Sequence, residues 1–443
     1  MTLLGILAGI LILSLIMVLH ESGHFFMGKA LGFKIEEFSI FMGPVLFEWE
    51  RKGIKYNIKA IPIGASVRFA GEEEEEEAEY GEAELKYKAD DPGLFYNRPK
   101  WRRALVVFMG PFINFVSALL AIFILFNLTG AIIPQLSTIE ENTLLSQASE
   151  IKAGDEIVSI NGYRVRSAVD MSMALAAAVP GSDWDIVYSD AVSGNKRELH
   201  LAPQKIEQTA IGITYLDDNG HFIVQSVDPD SNQADPVLQA GDEMIAIEGI
   251  AFSDSERISK IIASSVGTPL TIELIRNGER MRVESAPSVI TSDMPLGLYL
   301  TQTHNFGDIV EQTFVYPWSV IRSNIAGIRM LASGQLGLRE SLAGPIGIVS
   351  MVSETVQQST TFRQAIEYVL MLFGLLSVAV GFFNLLPVPP LDGGHLLFAA
   401  LEGIKRKPLS DRFKKIVTTA GMVVFLSLFV LVIYLDVSRI FGF

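Results

Sequence analysis

Four stretches of this chain are long and apolar enough to decide its fold class: Leu3 to Leu19 (17 residues without a charged side chain), Ala104 to Leu128 (25), Tyr368 to Leu391 (24) and Ile416 to Leu435 (20). A helix needs about 20 apolar residues to cross the hydrocarbon core of a bilayer. One such run is compatible with a buried helix of a large soluble protein. Four of them in 443 residues predict a polytopic α-helical membrane protein with four transmembrane helices. The first run lacks the basic start and the small-residue cleavage site of a signal peptide, so it is expected to remain as a helix.

Basic residues beside the runs set the expected orientation. Lys29 and Lys34 follow the first run, and Arg98, Lys100, Arg102 and Arg103 precede the second. Lys405, Arg406, Lys407, Arg412, Lys414 and Lys415 crowd the short loop before the fourth, whereas no Lys or Arg follows the second run until Lys152. The consistent solution puts 29–103 and 404–415 in the cytoplasm, with both termini and the stretch 129–362 extracytoplasmic. In a bacterium this describes a multi-pass protein of the inner (cytoplasmic) membrane. The net charge is -15, and nine acids lie between Glu72 and Glu84. That balance excludes nucleic acid as a partner, because phosphate binding needs clustered Lys and Arg. The lipid bilayer is the partner the runs themselves imply. The chain has no cysteine, so a bound metal must be held by His, Asp or Glu.

The first run ends in His20-Glu21-Ser22-Gly23-His24. Positions i and i+4 share one face of a helix, so His20 and His24 can hold one zinc ion through two imidazoles. Glu21 stands beside the first ligand, placed to take a proton from water activated by the metal. Ionisable groups near a bilayer core are costly and mark function. A catalytic zinc takes three protein ligands plus water, so a third ligand is required. His200, His221 and His304 belong to the stretch expected on the other side of the membrane. Glu36 and Glu37 follow nearby on the chain. Asp392 is better placed, at the end of the third run within Asn384-Leu385-Leu386-Pro387-Val388-Pro389-Pro390-Leu391-Asp392-Gly393-Gly394-His395. Pro387, Pro389 and Pro390 must break the helix there, and irregular backbone at membrane depth is tolerated where it lines a protein cavity. His395 is a weaker candidate, and Asp392 has the alternative of capping a following helix from Gly394 to Gly403.

These motifs resemble those of the site-2 proteases, the intramembrane zinc metalloproteases, and among them the bacterial branch with tandem PDZ domains that regulates sigma-E by cutting anti-sigma factors. The resemblance spans nearly the whole chain. It rests on His20 to His24 and Asn384 to Gly394, with support from Gly110-Pro111-Phe112-Ile113-Asn114 and Ser341-Leu342-Ala343-Gly344-Pro345-Ile346-Gly347. It implies zinc on His20, His24 and Asp392, Glu21 as general base, and Asn384 as a residue that holds the substrate backbone. A helix-packing hydrogen bond is the other reading of Asn384.

Between the first two runs, Val45 to Glu50, Tyr56 to Ala60 and Ile63 to Phe69 read as strands around a turn at Lys52-Gly53. The resemblance implies a membrane-associated sheet whose open edge captures an unwound substrate as an added strand. In the extracytoplasmic stretch, Ala153 to Gly162 recurs in altered form as Ala240 to Gly249. Each copy is followed by a helical stretch and then strands, which resembles tandem PDZ domains that bind peptides or chain ends, or act as a size filter. The expected plan is a first transmembrane helix with the metal motif (1–28), a cytoplasmic β-hairpin region with an acidic loop (29–102), a second transmembrane helix (103–128), PDZ domains at 129–203 and 204–288, a linker and membrane-surface helix (289–362), a third transmembrane helix with the Asp motif (363–403), and a fourth with the C-terminus (404–443). The function expected is hydrolysis within transmembrane segments of single-pass membrane proteins, after a first cut removes their external domain. A zinc transporter would not need Glu21 beside the ligand pair.

Overall fold

The computed structural model describes residues 3–71, 90–179, 181–218, 220–228, 237–334, 337–338, 342–357, 359, 361–407 and 409–441. The acidic run Glu72 to Glu84 and Ser341 lie outside them. The chain forms two compact units, one of Met1–Ile133 with Gln302–Phe443 and one of Pro134–Thr301.

The first unit contains helices α1 (Leu3–Ala30) and α2 (Lys100–Thr129), with strands β1 (Ile35–Arg51) and β2 (Ile54–Phe69) between them. After the second unit, whose helices α3 and α4 are given below, come α5 (Phe306–Ala332), α6 (Pro345–Gln357), α7 (Phe362–Asn384), α8 (Asp392–Lys405) and α9 (Asp411–Phe441). Helices α1, α2, α7 and α9 are long and apolar enough to cross a membrane, as the four runs predict. The third run is expected to reach Leu391, but α7 stops at Asn384. Pro387, Pro389 and Pro390 lack the N–H a helix needs, so Leu385 to Leu391 form a loop before α8 begins. Ile12 and Ile16 of α1 pack against Val352 of α6 and Leu372 of α7 in one buried cluster. Glu402 of α8 is buried among cations, 3.0 Å from Lys414 of α9 and 3.5 and 3.8 Å from Lys100 and Arg103 of α2. Three of the basic residues that set the expected orientation therefore also tie three helix ends together. Helix α5, expected as a membrane-surface helix, sets Phe306 and Tyr316 edge-on against Phe123 and Phe126 of α2 and leaves Phe314 and Trp318 exposed.

Strands β1 and β2 each bend, and the register resolves them into four segments. Ile35 to Ile40 is central, with Ala65 to Phe69 on one side and Lys55 to Ile58 on the other, and Val45 to Arg51 pairs outside the latter. The central segment is an addition to the three strands expected from sequence. Its acids Glu36 and Glu37, candidate ligands in the sequence, pair with Arg68 and Lys59. Phe38, Tyr56 and Val67 pack on Phe25 of α1 from the apolar face. The bends carry exposed apolar side chains, Met42, Leu46, Phe47 and Ile61 among them, and the Pro62 carbonyl accepts the Ser14 hydroxyl at 2.5 Å. Ser14 precedes His20 by six residues, about 9 Å along a helix. The sheet tip thus runs along α1 beyond the level of the His pair.

The second unit holds two β-modules. The first contains β3 (Ala131–Ile139), β4 (Glu156–Ile160), β5 (Tyr163–Arg164), helix α3 (Ala168–Ala176), β6 (Trp184–Ser189) and β7 (Lys196–Leu201). The ribbon strand β8 (Lys205–Ala210) leads to the second, with β9 (Ile213–Asp218), β10 (His221–Val227), β11 (Glu243–Ile247), β12 (Ile250–Ala251), helix α4 (Ser255–Ser264), β13 (Leu270–Arg276) and β14 (Glu279–Ser285). The ribbon closes with β15 (Ser288–Asp293), and β16 (Leu298–Thr303) follows. The repeated ten residues play one role in both copies. Asp155 and Asp242 accept the backbone N–H three residues back, each at 2.8 Å, and a strand then runs to a turn with positive φ at Asn161-Gly162 or Glu248-Gly249. The helix that follows is capped by Ser167 or Asp254.

The modules are not consecutive, as the plan of 129–203 followed by 204–288 has it. The sheet order β16-β3-β4-β6-β7 returns β16 to the first module, and Leu296 is buried in that module's core beside Leu136, Ile157 and Tyr188. Residues 294–303, expected as linker, complete the first module. The second is nested within it on the β8–β15 ribbon, whose register ends with Lys205 beside Asp293.

Candidate metal and catalytic site

His20 and His24 lie one turn apart on α1, both buried, with their Nε2 atoms 3.2 Å apart and their rings nearly perpendicular. Asp392 Oδ2 lies 3.1 Å from His20 Nε2 and 3.4 Å from His24 Nε2. Three potential donor atoms from two distant parts of the chain thus form a nearly equilateral triangle. A tetrahedral zinc ion with bonds of about 2.0–2.1 Å requires ligand atoms about 3.3 Å apart, so the triangle fits. Asp392 Oδ2 is itself buried with no hydrogen bond among the described residues, which leaves its lone pairs free for a cation. The alternative of a simple cap does not hold, because α8 begins at Asp392 and takes no side-chain cap. Gly393 and Gly394 permit this placement. A Cβ on the first would meet Leu386 O at 2.2 Å and on the second Pro389 N at 2.5 Å.

Glu21 stands beside the triangle, with ligand atoms of His20, Glu21 and His24 all within 4.8 Å of one another. Its Oε2 accepts the backbone N–H of Val67 at 3.2 Å, so the edge segment of the sheet reaches the site. The other sequence candidates are not part of the triangle. His395 is exposed, His200 pairs with Asp185 and His221 with Glu243. Asn384, the last residue of α7, donates its amide Nδ2 to Val380 O at 3.1 Å, within its own helix.

Helix α2 cradles both imidazoles through one stripe spaced by four residues. Val106 O faces His24 Nδ1 at 2.9 Å, and Asn114 Nδ2 lies 3.2 Å from His20 Nδ1. Between them Gly110 leaves the space the rings fill, since a Cβ there would lie 2.3 Å from His24 Nε2. Gly23 of α1 answers it, with Met109 O where a Cβ would go. With Nδ1 of His24 donating to a carbonyl, its Nε2 presents a lone pair toward the triangle. In the sequence the motif Gly110 to Asn114 stands out for its likeness to a family. What its residues do is a matter of contact between helices, which spacing along one helix does not reveal.

A protein-family model, peptidase family M50, matches residues 8–428. Protease RseP of Yersinia pestis is 26% identical over 459 residues, covering 98% of each chain. Regulator of sigma-E protease RseP of Escherichia coli (strain K12) is 26% identical over 457 residues, 97% of this chain and 98% of its own. A relative from Agrobacterium fabrum, which carries a zinc-metalloprotease name, is 27% identical over 447 residues, 98% of this chain and 95% of its own. Among solved structures, the HtrA3 PDZ domain bound to a phage-derived ligand (FGRWV) matches 20% of this chain and 93% of that one, at 21% identity and a TM-score of 0.17. The chain belongs to peptidase family M50, the site-2 proteases, and is a zinc metalloprotease.

Proposed function

We propose that this protein hydrolyses peptide bonds within the transmembrane segments of single-pass membrane proteins, with His20, His24 and Asp392 as zinc ligands and Glu21 as general base. The observation that carries the reading is the triangle of His20 Nε2, His24 Nε2 and Asp392 Oδ2 with the Glu21 carboxylate beside it. A zinc ion held there supplies Lewis-acid polarisation of the scissile carbonyl and makes water a nucleophile near neutral pH. Glu21 takes the proton of the attacking water and delivers it to the leaving amine nitrogen.

A transmembrane helix hides its peptide bonds, so the target must be extended before attack. Among the described residues the segment Ala65 to Phe69 is an edge of its sheet, and it turns the Val67 N–H toward Glu21. An unwound substrate pairing along that edge would lay its backbone beside the base. Asn384 holds the substrate backbone from the end of α7, giving up its bond to Val380 O to do so. The two nested modules are PDZ-like domains on the extracytoplasmic side of the inner membrane. They act as a size filter and bind peptides or chain ends. By analogy with relatives named as regulators of sigma-E, the substrates are anti-sigma factors.

The test is cleavage of a single-pass substrate without its external domain by the purified protein in detergent, with zinc content measured on wild type and Glu21→Gln. Cutting by wild type and none by zinc-loaded Glu21→Gln is the expected result. No cutting by zinc-loaded wild type over several substrates would overturn the proposal.

A further inference from the structure

We propose that Asn114 is a positioning residue that fixes the tautomer of His20. The inference rests on the reading that His20, His24 and Asp392 hold zinc. A neutral imidazole has one N–H and one lone pair. To present the lone pair at Nε2, the ring must carry its proton on Nδ1, and a buried N–H needs an acceptor. For His24 that acceptor is Val106 O, at 2.9 Å. For His20 the polar group at Nδ1 is the Asn114 amide, at 3.2 Å.

Asn114 is fully buried, and with Nδ2 turned to the ring its Oδ1 has no hydrogen-bond partner among the described residues. The two ends of an amide are told apart only by what they bond. A half-turn of the amide places Oδ1 on the Nδ1–H, satisfies the orphaned acceptor and turns the Nε2 lone pair toward His24 Nε2 and Asp392 Oδ2. The opposite arrangement puts the His20 proton on Nε2, inside the triangle, where no ligand can carry one. The backbone of Asn114 is held for this task, since its carbonyl accepts Ser377 Oγ at 2.9 Å and Ser117 Oγ at 3.0 Å. Three elements of the structure therefore meet on one ring: the His20 helix α1, the amide on α2 and the serine of α7 that fixes the amide's base.

The test is zinc affinity of the full-length protein in detergent, measured by competition with a chromogenic chelator. The variants are Asn114→Leu, which keeps the volume and removes the acceptor, Asn114→Asp, which supplies a stronger one, and His20→Ala. Loss of an outer partner of a ligating His weakens metal binding about 10- to 100-fold. That loss is expected for Asn114→Leu, with Asn114→Asp as tight as wild type or tighter. A packing role alone would not separate the two. Wild-type affinity in Asn114→Leu, or equal weakening in both, overturns the proposal while His20→Ala still loses zinc. Wild-type affinity in His20→Ala as well would overturn the ligand set itself. Unfolding midpoints measured with chelator present check each fold. Should the Leu variant not fold, weaker binding by Asn114→Asp than by wild type is the overturning result.

Discussion

The proposed metal site depends on a missing side chain as well as on its proposed ligands. Gly110 faces both imidazoles, and its absent side chain is the volume they occupy. Gly110→Ala favours the isolated helix by about 1 kcal/mol, since alanine is the better helix former. It also places a methyl 2.3 Å from His24 Nε2 and 2.9 Å from His20 Cε1. The rings must move, and misplacement of about 1 Å in a catalytic group costs about 100-fold in rate. The variant is expected to keep its unfolding midpoint and lose about that factor in cleavage, as measured by substrate turnover beside thermal unfolding in detergent. His20, Glu21 and His24 could be read from sequence because their relation is local, one turn of one helix. Asp392 needed an argument about depth in the membrane and a family likeness. Asn114 stood within a noted motif, but its contact with His20 is made across two helices, and no periodicity reports that.

Between single residues and the whole chain, two elements are positioned by carboxylates. Glu37 on the central segment of the sheet joins its neighbours on both sides: Lys59 at 3.0 Å and Arg68 at 3.0 Å, the latter next to Val67. Burial alone would raise its pKa, but the Ser39 hydroxyl, Lys59 and Asn57 outweigh it and hold the group at about 2. Because the folded value lies below the ordinary one of about 4.3, the stabilisation is complete above that pH and is lost as pH falls through about 2. The stability gap between wild type and Glu37→Gln, read as unfolding midpoints, is expected to be constant at neutral pH and to close between those two values. The central segment escaped the sequence reading because Ile35-Glu36-Glu37-Phe38 breaks the two-residue alternation, and its acids looked like ligand candidates instead. At the far end of α9, Asp436 is buried and accepts the N–H of Gly344 at 3.1 Å and of Gly347 at 2.9 Å, capping α6 from another helix. Either glycine with a Cβ would meet that carboxylate at 2.6 Å, which explains both glycines of the second supporting motif. Asp436→Ala leaves two N–H groups without their acceptor and is expected to cost about 1–2 kcal/mol. Faster hydrogen exchange at Gly344 to Ile348 would locate the loss.

At the scale of the molecule, the nested arrangement of the two modules makes a strong prediction about deletions. Lys205 and Asp293 are register partners, so residues 205–293 enter and leave the first module at one point. Excising them with a short linker is expected to leave that module folded, with Leu296 still in its core. A deletion that continues to Thr303 removes β16 and Leu296. A fully buried leucine contributes about 1.5–3 kcal/mol, and the first module is then expected to unfold. Limited proteolysis of the two deletion variants distinguishes the cases, and equal resistance in both would contradict the topology. The repeat itself was legible, because its turns and caps are made by residues within a few positions of each other. The return of β16 was not, because Ser137 Oγ bonds the Tyr299 carbonyl across the whole of the second module.

The sequence by itself determined what depends on near neighbours: four apolar spans, the His20-Glu21-His24 face, the proline break after Asn384, and the turn and cap of each repeated motif. Those features follow from side-chain transfer energies and backbone geometry over a few residues, which no distant partner overrides. Only the tertiary structure decided which carboxylate completes the triangle, which amide faces His20, which segment lies in the middle of the sheet, and which strand closes the first module. Each of these is a pairing of groups far apart in the chain. Such a pairing is selected by the packing of everything between them, and nothing in the spacing of either partner records it.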